Sequence, residues 1–141
     1  MMNELNQYRQ NGQFFFRPTD RLADVCNAPA NSSGVFAIYA LERGRTNLVF
    51  IGSAGKKDAD GNIVHRKDGI KGRIVTGKQF GDFCRKTWPH QMRLENIDTL
   101  SIQWFVTYGG MAKDFPEEME MNLLARYKEA NGKLPRWNKE L

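Results

Sequence analysis

Cysteine is scarce in this sequence. Cys26 and Cys84 are too few for a disulfide framework, and with His65 and His90 they match no zinc-binding spacing. A cross-linked scaffold and a structural zinc centre are therefore not expected, and the thiols point to a reducing, cytoplasmic setting. No apolar run is long enough to span a membrane, and the N-terminus lacks the basic-then-apolar pattern of an export signal. Internal repeats, low-complexity tracts and linker-like stretches are also missing, as is any zinc-finger or helix-turn-helix pattern for reading bases. One domain is expected from 141 residues, and 40% apolar with 26% charged content suits an ordinary globular core.

What is present is positive charge, unevenly spread. The chain carries +5, yet residues 56–93 hold ten basic side chains (Lys56, Lys57, Arg66, Lys67, Lys71, Arg73, Lys78, Arg85, Lys86 and Arg93) against four aspartates. That stretch is +6 and the remainder is −1. A basic region on an otherwise neutral protein is an electrostatic footprint for a phosphate backbone; a solvated lysine-rich loop is the plainer reading.

The clearest structural signal lies at residues 34–52. Two apolar, β-branched and aromatic runs flank a polar turn at 41–47, which predicts a β-hairpin. Strand alternation puts Phe36 and Ile38 on one face and Val35, Ala37 and Tyr39 on the other. Phe50 and Gly52 point together, opposite Val49 and Ile51.

Upstream, residues 1–16 read as a frayed helix or tail that docks through Phe14, Phe15 and Phe16. Thr19 and Asp20 cap a short helical pattern through Leu22, Val25 and Cys26, stopped by Pro29. Downstream of Gly52, turns at 60–62 and 67–69 enclose Ile63 and Val64, which predicts a minor hairpin. Asp68 then caps a helix over 70–76 that ends at Gly77, with Ile70 and Ile74 facing the core and Arg73 aimed at the sheet edge. Pro89 opens a helix to about residue 96, and residues 100–108 form a third strand. In that strand Ile102, Trp104, Val106 and Tyr108 share a face. A last helix starts at Pro116 behind Asp114 as cap and stops at Gly132, with an apolar stripe of Met119, Leu123, Leu124, Tyr127 and Ala130. Glu120 projects inside that apolar arc, which is costly unless something there binds it. The expected fold is α/β of the α+β type: a small central three-stranded antiparallel sheet flanked by helices. Residues 1–30 form an N-terminal segment packed on a domain at 31–141, which carries a basic insertion at 54–69.

Gly34-Val35-Phe36, followed by Phe50-Ile51-Gly52-Ser53, resembles the signature of the GIY-YIG nuclease family, with both motif tyrosines replaced by phenylalanine. The resemblance extends in order through Arg73 in Gly72-Arg73-Ile74, Glu120 in Glu120-Met121-Asn122, and Asn138 in Arg136-Trp137-Asn138. It implies metal-dependent hydrolysis of phosphodiester bonds, with Glu120 anchoring Mg²⁺ or Mn²⁺ and Arg73 stabilising charge on the phosphoryl oxygens. Asn138 would fix the last turn by pairing with backbone groups, or contact the phosphate. DNA is the implied partner, with RNA the alternative. It would be held by Lys56, Lys57, Arg66, Lys67, Lys71 and Lys78, with Gly52 letting the backbone approach the ligand closely and Ser53 at the mouth of the site.

The departure is at Phe36 and Phe50, since a phenyl ring can neither accept a proton nor hold a water by an ordinary hydrogen bond. His65, Lys67, Lys71 or Lys78 could serve as base, or the metal could generate hydroxide largely unaided. Plainer readings stand beside each residue: core packing for the two phenylalanines, an amphipathic-helix surface position for Arg73, pairing with Arg126 or Arg73 for Glu120, and turn formation for Asn138. Two functions from different classes remain, an endonuclease and a catalytically silent nucleic-acid-binding module; a protein-docking role for the basic loop is the third.

Overall fold

A computed structural model describes residues 3–139. The chain opens with a 3-10 turn (Asn3–Gln7), strand β1 (Asn11–Phe16) and a single helical turn, α1 (Leu22–Val25). The long hairpin follows as β2 (Ser33–Glu42) and β3 (Arg45–Ala54). A minor hairpin, β4 (Lys56–Lys57) and β5 (Ile63–Val64), leads into α2 (Gly69–Val75). A second, β6 (Lys78–Gln79) and β7 (Asp82–Phe83), leads into α3 (Cys84–Glu95). Strand β8 (Thr99–Gly109), the short β9 (Ala112–Lys113) and helix α4 (Pro116–Asn131) complete the order.

The main sheet runs β1-β8-β2-β3, with β9 paired to β8, and every pairing is antiparallel. It has five strands rather than three. The added long strand is β1, from residues expected as a tail or frayed helix. Three successive phenylalanines hide its alternation: Phe14 and Phe16 are buried, while Phe15 is 54% exposed. Its partner is β8, far along the sequence, so nothing local announces it.

Helices cover both faces. On one, Phe16, Phe36, Phe50, Ile102 and Trp104 pack with Ile70 and Ile74 of α2 and Trp88 and Met92 of α3. On the other, Val35 and Ile51 pack with Leu123 and Leu124 of α4 and with Leu5 and Tyr8. Full burial of Ile70 and Ile74 stabilises the seat of α2 by about 1.5–3 kcal/mol each. The expected alternation holds in β2 and in β8 as far as Val106, but it fails at Val49 and again at Thr107, an extra residue in β8 where Ser33 pairs with Tyr108 and Gly34 with Val106. Ile38 pairs with Phe50 and Tyr39 with Leu48, so Val49 is the extra residue of a bulge and joins the same core as Phe50. Because β2 stays in register with β8 here, Tyr39 remains on the face opposite Phe36.

Helix ends differ from expectation in their caps more than in their positions. Asp68 precedes α2 in the left-handed region (φ 59°) with no capping hydrogen bond from its side chain. Asp114 does not cap α4; its carboxylate accepts from the Tyr8 hydroxyl at 2.6 Å, and Phe115 holds the cap position. Asp20 accepts from the Arg17 N–H at 2.9 Å and so closes the turn before α1. Helix α3 begins at Cys84 and carries Pro89 inside it, ahead of the predicted start. Proline there forgoes one hydrogen bond, to the carbonyl four residues back, and burial of Trp88 and Met92 outweighs that loss. No helix among the described residues is long and apolar enough to cross a membrane.

Candidate functional site

Strand β3 ends between two helices, α2 on one face of the sheet and α4 on the other. There Ser53, Ala54, Gly55 and Lys56 run into the minor hairpin, and a pocket of about 280 Å³ opens. Val64, His65, Arg66, Arg73 and Glu117 complete its lining.

Arg73 reaches this pocket from the last turn of α2, half-buried. Its guanidinium carbon lies 5.5 Å from the Phe36 ring centre and 5.9 Å from that of Phe50. Nη1 is buried without a hydrogen-bond partner. Two π faces thus do what an acid would otherwise do, holding the cation without neutralising it. The rings themselves are tilted 43° with centres 5.9 Å apart. Glycine at 52 follows from this stack, since a Cβ there would stand 2.6 Å from Phe36 Cζ and 2.7 Å from Phe50 Cε2. Gly52 makes room for the phenylalanines and is itself buried, outside the pocket lining. The Arg73 charge also reaches the buried Cys84 thiol, where burial raises the pKa and Arg73 opposes the rise.

Glu120 approaches from α4, and the Ser53 hydroxyl donates to its Oε1. Burial pushes this carboxyl above its usual range, Glu117 adds to the effect, and the Ser53 hydrogen bond and the Arg73 charge act against it. Glu120 makes no ion pair among the described residues; Arg126 pairs instead with Glu4 at 3.8 Å. His65 is exposed at the rim, its Nδ1 2.6 Å from the Oγ of the fully buried Ser33.

Asn138 stands apart from the pocket lining. Its side-chain amide donates to the Ile51 carbonyl and its Oδ1 accepts from the Ile51 N–H, both at 3.0 Å. With the Trp137 N–H donating to the Val49 carbonyl at 2.9 Å, it pairs the C-terminal segment to the outer edge of β3.

Of the basic residues, Lys56 and Arg66 line the pocket with Arg73. Lys57 is turned aside, 3.4 Å from Glu118 and 4.8 Å over the Phe115 ring. Lys67 lies exposed on the turn before α2, and Lys71 is half-buried on that helix, with its charge felt at Cys26. Lys78 is exposed on β6, beyond the pocket. Two residues of the site went unread in the sequence, Ser33 and Glu117. Glu117 stands three residues before Glu120 and so shares its helix face, a spacing that announces the pair. Nothing local announces Ser33, whose partner is 32 residues away.

Among the described residues no three His, Cys, Asp or Glu side chains gather into a metal-binding group. The oxygen donors at hand are the carboxylates of Glu117, in the lining, and Glu120, beside it, with the Ser53 hydroxyl. Such a sparse all-oxygen set fits Mg²⁺ or Mn²⁺, which keep several waters and share phosphate oxygens, and does not fit zinc. Comparison with protein families, curated proteins and solved structures finds no match to this chain.

Proposed function

We propose that this chain is a GIY-YIG-like, metal-dependent endonuclease that hydrolyses DNA phosphodiester bonds. The observation that carries the reading is the pocket at the end of β3, lined by an un-neutralised Arg73 from α2 and by Ser53, whose hydroxyl donates to Glu120 of α4, a carboxylate just outside the lining and without an ion pair among the described residues. Arg73 would bind the scissile phosphate through its guanidinium, where negative charge grows in the transition state. Glu120, assisted by Ser53, would hold Mg²⁺ or Mn²⁺, which when bound supplies Lewis-acid neutralisation of the phosphate and leaving oxygen. His65 would accept the proton of the attacking water through Nε2, with Nδ1–H donated to Ser33 to fix the tautomer. The water oxygen bonds to phosphorus, the bond to the leaving oxygen breaks, and the proton resides on the imidazole. Lys56 and Arg66 would hold the flanking backbone. Buried, unpaired Cys26 and Cys84 suit a reducing cytoplasm.

Plasmid nicking tests this directly. Supercoiled DNA with Mg²⁺ or Mn²⁺ should be nicked or linearised, chelator should stop it, and Arg73→Ala or Glu120→Ala should each abolish cleavage in folded protein. Full activity in either variant rejects the reading. One observation favours a second reading, a silent binding module: the motif tyrosine positions hold phenylalanines only 0% and 8% exposed, with no oxygen to offer. Retardation of DNA at low salt with no cleavage under any metal would select it.

A further inference from the structure

We propose that the β6–β7 hairpin is a stacking platform on which Phe80 receives an unpaired base of single-stranded DNA. The proposal rests on the nucleic-acid reading above and names the substrate class it would take. Phe80 and Gly81 are the two central residues of the turn, at φ 58° and 90°. Both lie in the left-handed region, the geometry of a two-residue hairpin turn that favours Asn, Asp or Gly at its first position. A bulky aromatic there is strained, and strain of this kind persists where the surrounding structure imposes it.

The surroundings here are rigid. The Cys84 N–H donates to the Gly77 carbonyl at 2.9 Å and closes the base of the hairpin. Gln79 donates to the Trp137 carbonyl at 3.2 Å and accepts from Trp88 Nε1 at 2.8 Å. Phe80 meets Trp137 edge to face, with centroids 5.2 Å apart and planes at 89°, yet remains 37% exposed. The result is an aromatic ring fixed at a protruding tip and left open to solvent.

The hairpin that carries it and the start of α3 are basic. Lys78 Nζ and Arg85 Cζ lie 5.3 Å and 4.6 Å from the ring centre of Phe83, Lys86 follows, and Asp82 is the single acid in residues 78–86. An exposed ring at the tip of a hairpin whose strands and following helix carry basic side chains offers what a sequence-tolerant single-strand site needs: a π face for the base and charge for the backbone. A preformed platform binds without the cost of ordering it. Phe80 is seven residues from Arg73, so the tip stands no more than about 25 Å of chain from the phosphate pocket.

The test is fluorescence anisotropy of a labelled single-stranded oligonucleotide at low salt, with a blunt duplex of the same sequence as control. Phe80→Asn suits the left-handed turn and removes the ring; Phe80→Leu keeps apolar bulk against Trp137 without a π face; Phe80→Trp keeps the platform. Thermal melts establish that each variant is folded. Single-strand affinity should fall on the order of tenfold in Asn and Leu and persist in Trp, while duplex affinity changes less than about twofold. Folded Asn and Leu variants that bind the single strand like wild type overturn the platform alone, as does an equal loss on duplex. Wild-type protein that binds no DNA overturns the nucleic-acid reading and the platform with it.

Discussion

A guanidinium held by two phenyl faces keeps its whole charge, and this sets what the phenylalanines at 36 and 50 contribute. An acid in their place would fix Arg73 equally well and cancel its attraction for a phosphate. Phe50→Leu preserves apolar contact in the core but removes one π face, worth about 0.5–2 kcal/mol. It should slow nicking by about 2- to 30-fold with Arg73 less well aimed, measured as initial rates beside thermal melts. Glu120 gives a pH signature of opposite kind. Its folded pKa lies above its unfolded one, so the native state holds its proton longer. The destabilisation is absent below the unfolded pKa, grows as pH rises through the folded pKa, and is complete above it. In chelator, Glu120→Gln should therefore melt higher than wild type at neutral pH, and the difference should vanish below the ordinary carboxylate range. An unchanged difference across pH would remove burial as the cause.

Among elements, the C-terminal segment shows how a side chain can stand in for a strand. Asn138 offers Ile51 one donor and one acceptor, the pattern of a neighbouring backbone. Asn138→Ala should lower stability by about 1–3 kcal/mol in urea titration and leave cleavage by the folded fraction near wild type, since losing both bonds strands two backbone groups. A large loss of cleavage at unchanged stability would instead put the amide on the phosphate. The elements legible in the sequence are those whose signal is local. Helix α4 runs from its proline to the residue before its glycine, as read, and Ile70 and Ile74 fall one turn apart in the core. The minor hairpin, and β8 as far as Val106, are also where the turn residues and alternation put them. Strand β1 was not legible, because β8 defines it and Phe15 breaks its pattern. Nor was the bulge at Val49, which arises from how two long strands settle against one another. The start of α3 was hidden because Pro89 reads as a first-turn residue while Trp88 and Met92 anchor a longer helix. Around the candidate pocket, the approach of Arg73 to the sheet edge and the place of Glu120 beside the apolar stripe of α4 were readable from helical spacing. Ser33 was not, and Asn138 bonds at the far edge of β3.

At the scale of the whole molecule, charge governs the encounter with any polyanion. Residues 56–93 carry the positive excess, though Lys57 is already engaged by Glu118. Binding to duplex DNA should weaken with salt along a straight log–log line whose slope is about −0.9 per phosphate neutralised. Replacing Lys56 or Arg66 with alanine should make that slope shallower by about one unit, whereas Lys57→Ala should alter it less. Titration of a labelled duplex between 50 and 300 mM salt reads all three.

The pairing of Trp137 and Asn138 with β3 carries a further consequence. Strand β3 is the last of the sheet, and a bare outer strand is a template on which any extended chain can lay itself down. By closing Val49 and Ile51, a few residues at the end of the described chain act as a stopper on sheet growth. Their loss would be felt first as self-association, in a protein whose pocket could still be intact.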